Sequence, residues 1–377
     1  MNLLQENIFL TALEPSAFNY GLRLLSFLLP KYKVYTIFSK SFLKEKKLLN
    51  HPNLKLIFDS DNLTSLGFFE VLSKYRIVRS LLKDIENLVK KEKFKFILSL
   101  DAWAFHEKIH KVFFKFQSST KRYHFIPPKT WAWGEFRNKS LKILDELFCI
   151  FPFEERYFKN FGIDAIYVGN PLLDIIFDSE NLIKQKLKKD INKTRNLNII
   201  LMPGSRPQEI KNLMPFFLNI TKNIFNKLKD KYSINFFMPL TPNVRNLIEN
   251  YKIPNYICLS FGNSLKILKK ADFGIITSGT ASLEAALCGV PHIVVYKLNI
   301  FTYLLGRILV KIPYISLVNI LLQKKLMKEH IQFLKEKKIE KDFIDLIDNK
   351  NIYLAHFLKI RKILKHGCFE NLEKLLV

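Results

Sequence analysis

Short apolar runs, each closed by a turn and followed by a longer stretch of helical spacing, constrain this chain more than any other feature. In the first half such runs cover residues 8–13, 33–38, 54–58, 94–100, 121–126 and 147–150. Between them, apolar residues recur at helical intervals over 17–29, 68–90 and 135–144. The second half repeats the rhythm, with runs at 197–202, 234–238, 256–259, 273–277 and 292–296. Continuous apolar runs belong to strands covered on both faces, and strands that alternate with helices build parallel sheets. The expectation is an α/β fold of doubly wound sheets. At 377 residues the chain exceeds one such core, and a charged, apolar-poor stretch at 181–196 separates the two series. An N-terminal domain is expected over 1–180 and a second domain over 181–340. A helical segment over 341–377 is placed to cross back onto the first domain.

Two turns of the second half carry chemistry. One reads Pro203-Gly204-Ser205-Arg206 after the run 197–202; the other reads Ser278-Gly279-Thr280-Ala281 after 273–277. A strand, a Gly/Ser turn and a helix start bring free N–H groups and the positive end of a helix dipole to one point, which suits an anion. Two such points in one domain suit a diphosphate. Arg206 offers a bidentate contact to a phosphate, and Glu284, one turn into its helix, can accept from a ribose diol. In the first half, Asp101 closes the run 94–100, where doubly wound sheets place functional side chains; an Asp there also caps helices.

Composition adds little specificity. Lys and Arg number 60 against 34 Asp and Glu, a formal charge of +26, which fits an anionic partner such as a membrane surface or a phosphorylated substrate. The lysines are dispersed and no nucleic-acid module is present, so nucleic acid is not the expected partner. Cys149, Cys258, Cys288 and Cys368 show no metal spacing and fit a reducing compartment. No metal and no redox cofactor are expected. The most apolar long stretch, 298–322, is interrupted by Arg307, Lys311 and Pro313, so the chain is expected to be soluble or peripheral rather than spanning.

Longer motifs resemble one family. Trp131-Ala132-Trp133 with Arg137, Phe151-Pro152-Phe153-Glu154, and Val168-Gly169-Asn170-Pro171 are similar to lipid-A-disaccharide synthases. So are the phosphate loop with Glu209, the stretch from Ser278 to Glu284 with Gly289-Val290-Pro291, and Tyr314-Ile315-Ser316-Leu317-Val318-Asn319 with Gln332. There are departures. The opening Gly-Glu-x-Ser-Gly-Asp turn is here Leu13-Glu14-Pro15-Ser16-Ala17-Phe18, and Asp-Ala-Pro-Asp is Asp101-Ala102-Trp103-Ala104.

The resemblance implies a GT-B fold, two Rossmann-like domains with a cleft between them, and an inverting transfer. The donor would be UDP-2,3-diacylglucosamine and the acceptor 2,3-diacylglucosamine 1-phosphate, giving a tetraacyl disaccharide 1-phosphate and UDP in lipid A biosynthesis. Asp101 would be the base. Gly204, Ser205, Arg206, Ser278, Gly279, Thr280 and Glu284 would hold the donor, with Asn319 and Gln332 also assigned to substrate. Glu14 and Ser16 would contact the acceptor or cap the first helix, and Trp131 and Trp133 read as architectural. Leu66, Phe68, Phe69, Val71 and Leu72 beside Lys74, Arg76 and Arg79 would rest on the anionic cytoplasmic face of the inner membrane. Exchange of the C-terminal segment between subunits leaves a homodimer open. Another GT-B enzyme using UDP-GlcNAc is the alternative, with a basic binding or scaffold protein behind it.

Overall fold

The structure is a computed structural model that describes residues 5–64, 71–300, 303–304, 306, 310 and 312–377; the side chains of 15, 16, 63, 64, 71–75, 192 and 194 are also outside the description. The chain divides into two compact units, Met1–Asp174 with His366–Val377, and Ile175–Lys365.

The first unit is built on seven parallel strands: β1 (Asn7–Ala12), β2 (Lys33–Phe38), β3 (Leu54–Asp59), β4 (Phe94–Leu100), β5 (Lys121–Phe125), β6 (Glu146–Cys149) and β7 (Ala165–Tyr167). Their order is β3-β2-β1-β4-β5-β6-β7. Phe9, Ile37, Ile97, Ile109 and Phe113 meet in the core on one side of this sheet, with Leu81, Ile85 and Val89 of the helix Val71–Lys91 packed on them. The apolar runs are continuous because the central strands are covered on both faces.

The second unit carries six parallel strands: β8 (Asn196–Met202), β9 (Ser233–Leu240), β10 (Ile257–Phe261), β11 (Phe273–Thr277), β12 (His292–Tyr296) and β13 (Glu329–Ile331). The order is β10-β9-β8-β11-β12-β13. Both sheets therefore reverse their winding at one place, between β1 and β4 in the first and between β8 and β11 in the second. At such a point the loops leaving two adjacent strands turn to opposite faces and open a crevice at the strands' carboxyl ends.

The residues expected to form a C-terminal segment divide. Helices Glu336–Asp348 and Lys350–Ile363 belong to the second unit, and only the helix Cys368–Leu376 rejoins the first. Asp174 holds that last helix by accepting from Gly367 N at 2.8 Å and Phe369 N at 3.0 Å, which satisfies N–H groups the helix leaves open. Tyr32 Oη donates to Leu376 O at 2.9 Å. None of the described helices is long and apolar enough to cross a membrane.

Candidate active site

In the first unit, Asp101 is the residue that leaves β4 at the winding reversal. Its φ is 52° and that of Ala102 is 43°, so two successive residues hold left-handed backbone before the helix Trp103–Phe116 begins. That costs on the order of 1–2 kcal/mol for each. Surrounding bonds hold it in place. Asp101 N donates to Phe125 O at 3.0 Å, Asp101 Oδ1 accepts from Ala102 N at 2.7 Å, and Asp101 O accepts from His106 Nδ1 at 2.7 Å. The residue is half-buried, and its Oδ2 has no partner among the described residues. A fixed carboxylate with one open oxygen at this position can take a proton from a hydroxyl.

Because His106 Nδ1 donates to a carbonyl, its Nε2 is the acceptor for Thr11 Oγ1 at 3.1 Å. One imidazole therefore ties the end of β1 to the strained backbone beyond β4. Burial holds His106 down to about 4, so it is neutral at working pH. Behind it, Ser99 Oγ bonds His110 Nε2 and His124 Nδ1, each at 2.7 Å. Burial pushes both of these rings well below the ordinary range too. Nothing in the residue pattern singled out this network; the four-residue spacing of His106 and His110 was its only trace.

Glu14 precedes the helix Pro15–Leu28 in the N-cap position, yet its side chain makes no capping bond. The Ser16 side chain lies outside the described residues. Of the apolar cluster expected at a membrane, Leu66, Phe68 and Phe69 lie outside the described residues, as do the side chains of Val71, Leu72 and Lys74; Arg76 and Arg79 are exposed. Trp131 has a structural partner. Its Nε1 donates to Glu154 Oε1 at 3.0 Å, and Glu154 Oε2 accepts from Ile150 N at 3.1 Å and Phe151 N at 3.0 Å. Burial pushes the Glu154 carboxyl up to about 7, against the pull of those three donors.

In the second unit the two loops expected to meet an anion leave β8 and β11, the strands flanking its winding reversal, and they differ. Gly204 has φ 121°, and a Cβ there would lie 2.6 Å from Glu209 Cβ, so only glycine fits. The crowding has a cause: Glu209 Oε2 accepts from Ser205 N at 3.0 Å and Arg206 N at 3.3 Å. The Ser205 N–H expected to meet a phosphate is thus taken by the chain's own carboxylate, as the capping box of the helix Pro207–Leu228 requires. Arg206 remains exposed. Burial and Glu209 raise the Tyr296 hydroxyl while Arg206 lowers it, which brings this loop to the end of β12.

The other loop is open. Ser278 N donates to Val295 O at 3.1 Å and Ser278 Oγ to Ile315 O at 3.0 Å. Gly279 has φ 150° and nothing lies within 4 Å of where a Cβ would stand. Among the described residues no side chain caps the helix Thr280–Leu287, so the N–H groups at its start, before Ser282 N, which donates to Gly279 O at 3.2 Å, are left to a ligand or water. Glu284 on that helix is half-buried, without a bonded partner among the described residues; burial raises its carboxyl to about 6, below neutral pH.

Asn319 and Gln332 serve the scaffold. Asn319 is fully buried, donating to Met327 O at 3.0 Å and Glu329 Oε1 at 2.8 Å and accepting from Leu326 N at 2.9 Å and Met327 N at 2.7 Å. Gln332 brackets Leu298, accepting from its N at 3.0 Å and donating to its O at 3.1 Å. Glu329, which the sequence did not mark, accepts from Ser316 N at 2.9 Å and fixes the turn that Ser278 touches. No described group of His, Cys, Asp and Glu has the makings of a metal site.

The profile of the lipid-A-disaccharide synthetase family matches residues 8–373. The chain belongs to that family. A lipid-A-disaccharide synthase of Campylobacter jejuni is 33% identical over 383 residues, covering 97% of both chains. One from Sulfurihydrogenibium is 32% identical over 369 residues, covering 92% of this chain and 90% of its own. Among solved structures, Acinetobacter baumannii MurG superposes with a TM-score of 0.61 at 12% identity, covering 98% of this chain and 99% of that one. A Neisseria meningitidis UDP-GlcNAc 2-epimerase gives 0.56 at 15% identity, covering 98% of both chains. These two establish the fold, GT-B. With its family placement, the chain is a glycosyltransferase.

Proposed function

We propose that this chain joins UDP-2,3-diacylglucosamine to the 6-hydroxyl of 2,3-diacylglucosamine 1-phosphate, releasing UDP and a β-1,6-linked tetraacyl disaccharide 1-phosphate. The observation that carries the reading is the unclosed helix start at Thr280, at a winding reversal, with Glu284 on the same helix unpartnered among the described residues. A diphosphate would take the N–H groups of Gly279 and Thr280 together with the Arg206 guanidinium, and the ribose would take Glu284. Asp101 Oδ2 would remove the proton as the hydroxyl attacks the anomeric carbon with inversion. Positive charge and N–H donors would stabilise the departing UDP. Gly204, Ser205 and Ser278 shape the loops. Asn319, whose side chain is fully engaged, and Gln332, which brackets Leu298, hold the turns around them and are not proposed as ligands. Glu14, on the turn after β1, and Ser16, in the first turn of the helix Pro15–Leu28, follow the strand beside Asp101's and are proposed to meet the acceptor.

Both substrates carry acyl chains, so the enzyme would work at the anionic cytoplasmic face of the inner membrane, held by residues 66–79. The test is UDP release by purified enzyme with donor alone, with both substrates, and with Asp101→Asn. Acceptor-dependent release and a disaccharide product are expected, both abolished in Asp101→Asn while donor binding persists. Release without acceptor would replace it with a hydrolase or epimerase.

A further inference from the structure

The loop between β5 and the short helix Asn138–Leu141 holds two tryptophans with opposite fates. Trp131 is anchored on Glu154 and set edge-on against Phe153, ring centroids 5.1 Å apart. Trp133 turns outward and is 39% exposed, and Phe136, just past the left-handed Gly134, is 74% exposed. Arg137 lies over both rings, its guanidinium carbon 4.3 Å from the Trp133 centroid and 5.8 Å from that of Phe136. It has no carboxylate partner among the described residues, whereas Lys159 pairs with Glu155 at 2.7 Å. Stacking occupies the flat face of a guanidinium and leaves its in-plane N–H fork open, which is the edge that matches a phosphate.

This group is tied to Asp101. Trp103, two residues beyond Asp101, donates through Nε1 to Ser140 Oγ at 2.7 Å, and Ser140 Oγ donates to Arg137 O at 2.9 Å. One hydroxyl therefore fixes the Arg137 backbone to the segment that carries the candidate base.

We propose that Trp133, Phe136 and Arg137 form a binding site for an acylated phosphate monoester: the guanidinium takes the phosphate and the two rings take adjoining acyl or sugar surface. Resting on the function proposed above, the ligand is the acceptor, read through its 1-phosphate. Trp133, read from the sequence as architectural, becomes a contact residue.

The test titrates intrinsic fluorescence of the full chain, without donor, in neutral detergent micelles, using 2,3-diacylglucosamine 1-phosphate and the same lipid lacking its phosphate. Binding needs no turnover, so failure of the catalytic reading and failure of this one are separable. Wild type should bind the phosphorylated lipid about 10- to 100-fold more tightly, the range for a charge-assisted pair. Arg137→Gln should erase that preference while leaving affinity for the dephosphorylated lipid unchanged, and Arg137→Lys should restore only part of it. Phe136→Ser should weaken both lipids alike. A preference that survives in Arg137→Gln, or is absent from wild type, overturns the proposal. So does a loss seen only with vesicles containing anionic phospholipid, since the phosphate read would then be a bilayer headgroup.

Discussion

Replacing Glu154 by Gln tests how a buried charge is tolerated beside the site. The wild-type carboxyl is 1% exposed and held at about 7 against an ordinary 4.5. The folded chain therefore keeps a proton on it between about pH 4.5 and 7 that the unfolded chain has lost. This contribution to stability is fully present below pH 4.5 and is lost as pH rises through 7. At about 1.4 kcal/mol per tenfold, it amounts to about 3 kcal/mol. Gln cannot titrate, and its single carbonyl can serve Ile150 N and Phe151 N or Trp131 Nε1, but not both sets. Leaving a donor unpaired costs about 1–3 kcal/mol. Urea unfolding followed by tryptophan fluorescence reports on the first unit, because Trp103, Trp131 and Trp133 all lie there. At pH 5 the variant should be the less stable by about 1–3 kcal/mol or more. By pH 8 the gap should close or reverse. Two parallel stability curves from pH 4.5 to 8 would refute the reasoning, because Glu154 would then titrate alike folded and unfolded.

Gly204→Ala should raise KM for the UDP-sugar and lower stability by about 2–3 kcal/mol, from its φ and the approach to Glu209; adding Glu209→Ala, which removes the carboxylate that also crowds the new Cβ but keeps the Cβ contact, should recover only part of the stability loss in thermal melts. His106→Leu leaves Asp101 O and Thr11 Oγ1 unpaired, so kcat should fall at least tenfold, with His106→Asn, which keeps one donor, falling less. Because His106 stays neutral, the wild-type pH–rate profile from 5 to 9 should show no limb that His106→Asn removes. Lys186 Nζ donates to Leu268 O at 3.3 Å and Ala271 O at 2.5 Å, and burial lowers it to about 8. Its stability contribution is complete above about pH 10.5, the unfolded value, and lost as pH falls through about 8. Lys186→Met should therefore lack the rise in stability, up to about 3 kcal/mol, that wild type shows between pH 8 and 10.5 in chemical denaturation.

The long strands were legible because burial on both faces writes itself as an apolar run, as in Phe96–Leu98 at the centre of β4. β7 and β13 were not: Ala165–Tyr167 and Glu329–Ile331 are three residues each at a sheet edge, too short for any period. Asp101 was readable as a strand-end carboxylate, but not the left-handed backbone that presents it, since Asp101-Ala102 carries no glycine to announce positive φ. The Gly204 turn was readable as a glycine turn between a strand and a helix, yet whether its N–H groups are free depends on a rotamer of Glu209 that spacing does not reveal. Asn319 and Gln332 were named through resemblance, and their internal bonds explain why those residue types stand there.

The first unit is discontinuous: its last helix is made after the whole of the second unit, and the bond between Tyr32 and Leu376 spans 344 positions. At about 5–20 residues per second, synthesis of the residues between Asp174 and His366 takes about 10–40 s. Through that interval the faces that later receive Cys368, Leu372 and Leu376 stay uncovered on a domain otherwise complete. The nascent chain therefore carries an apolar vacancy through much of its own translation, and ribosome-associated chaperones have a defined place and time to act on it.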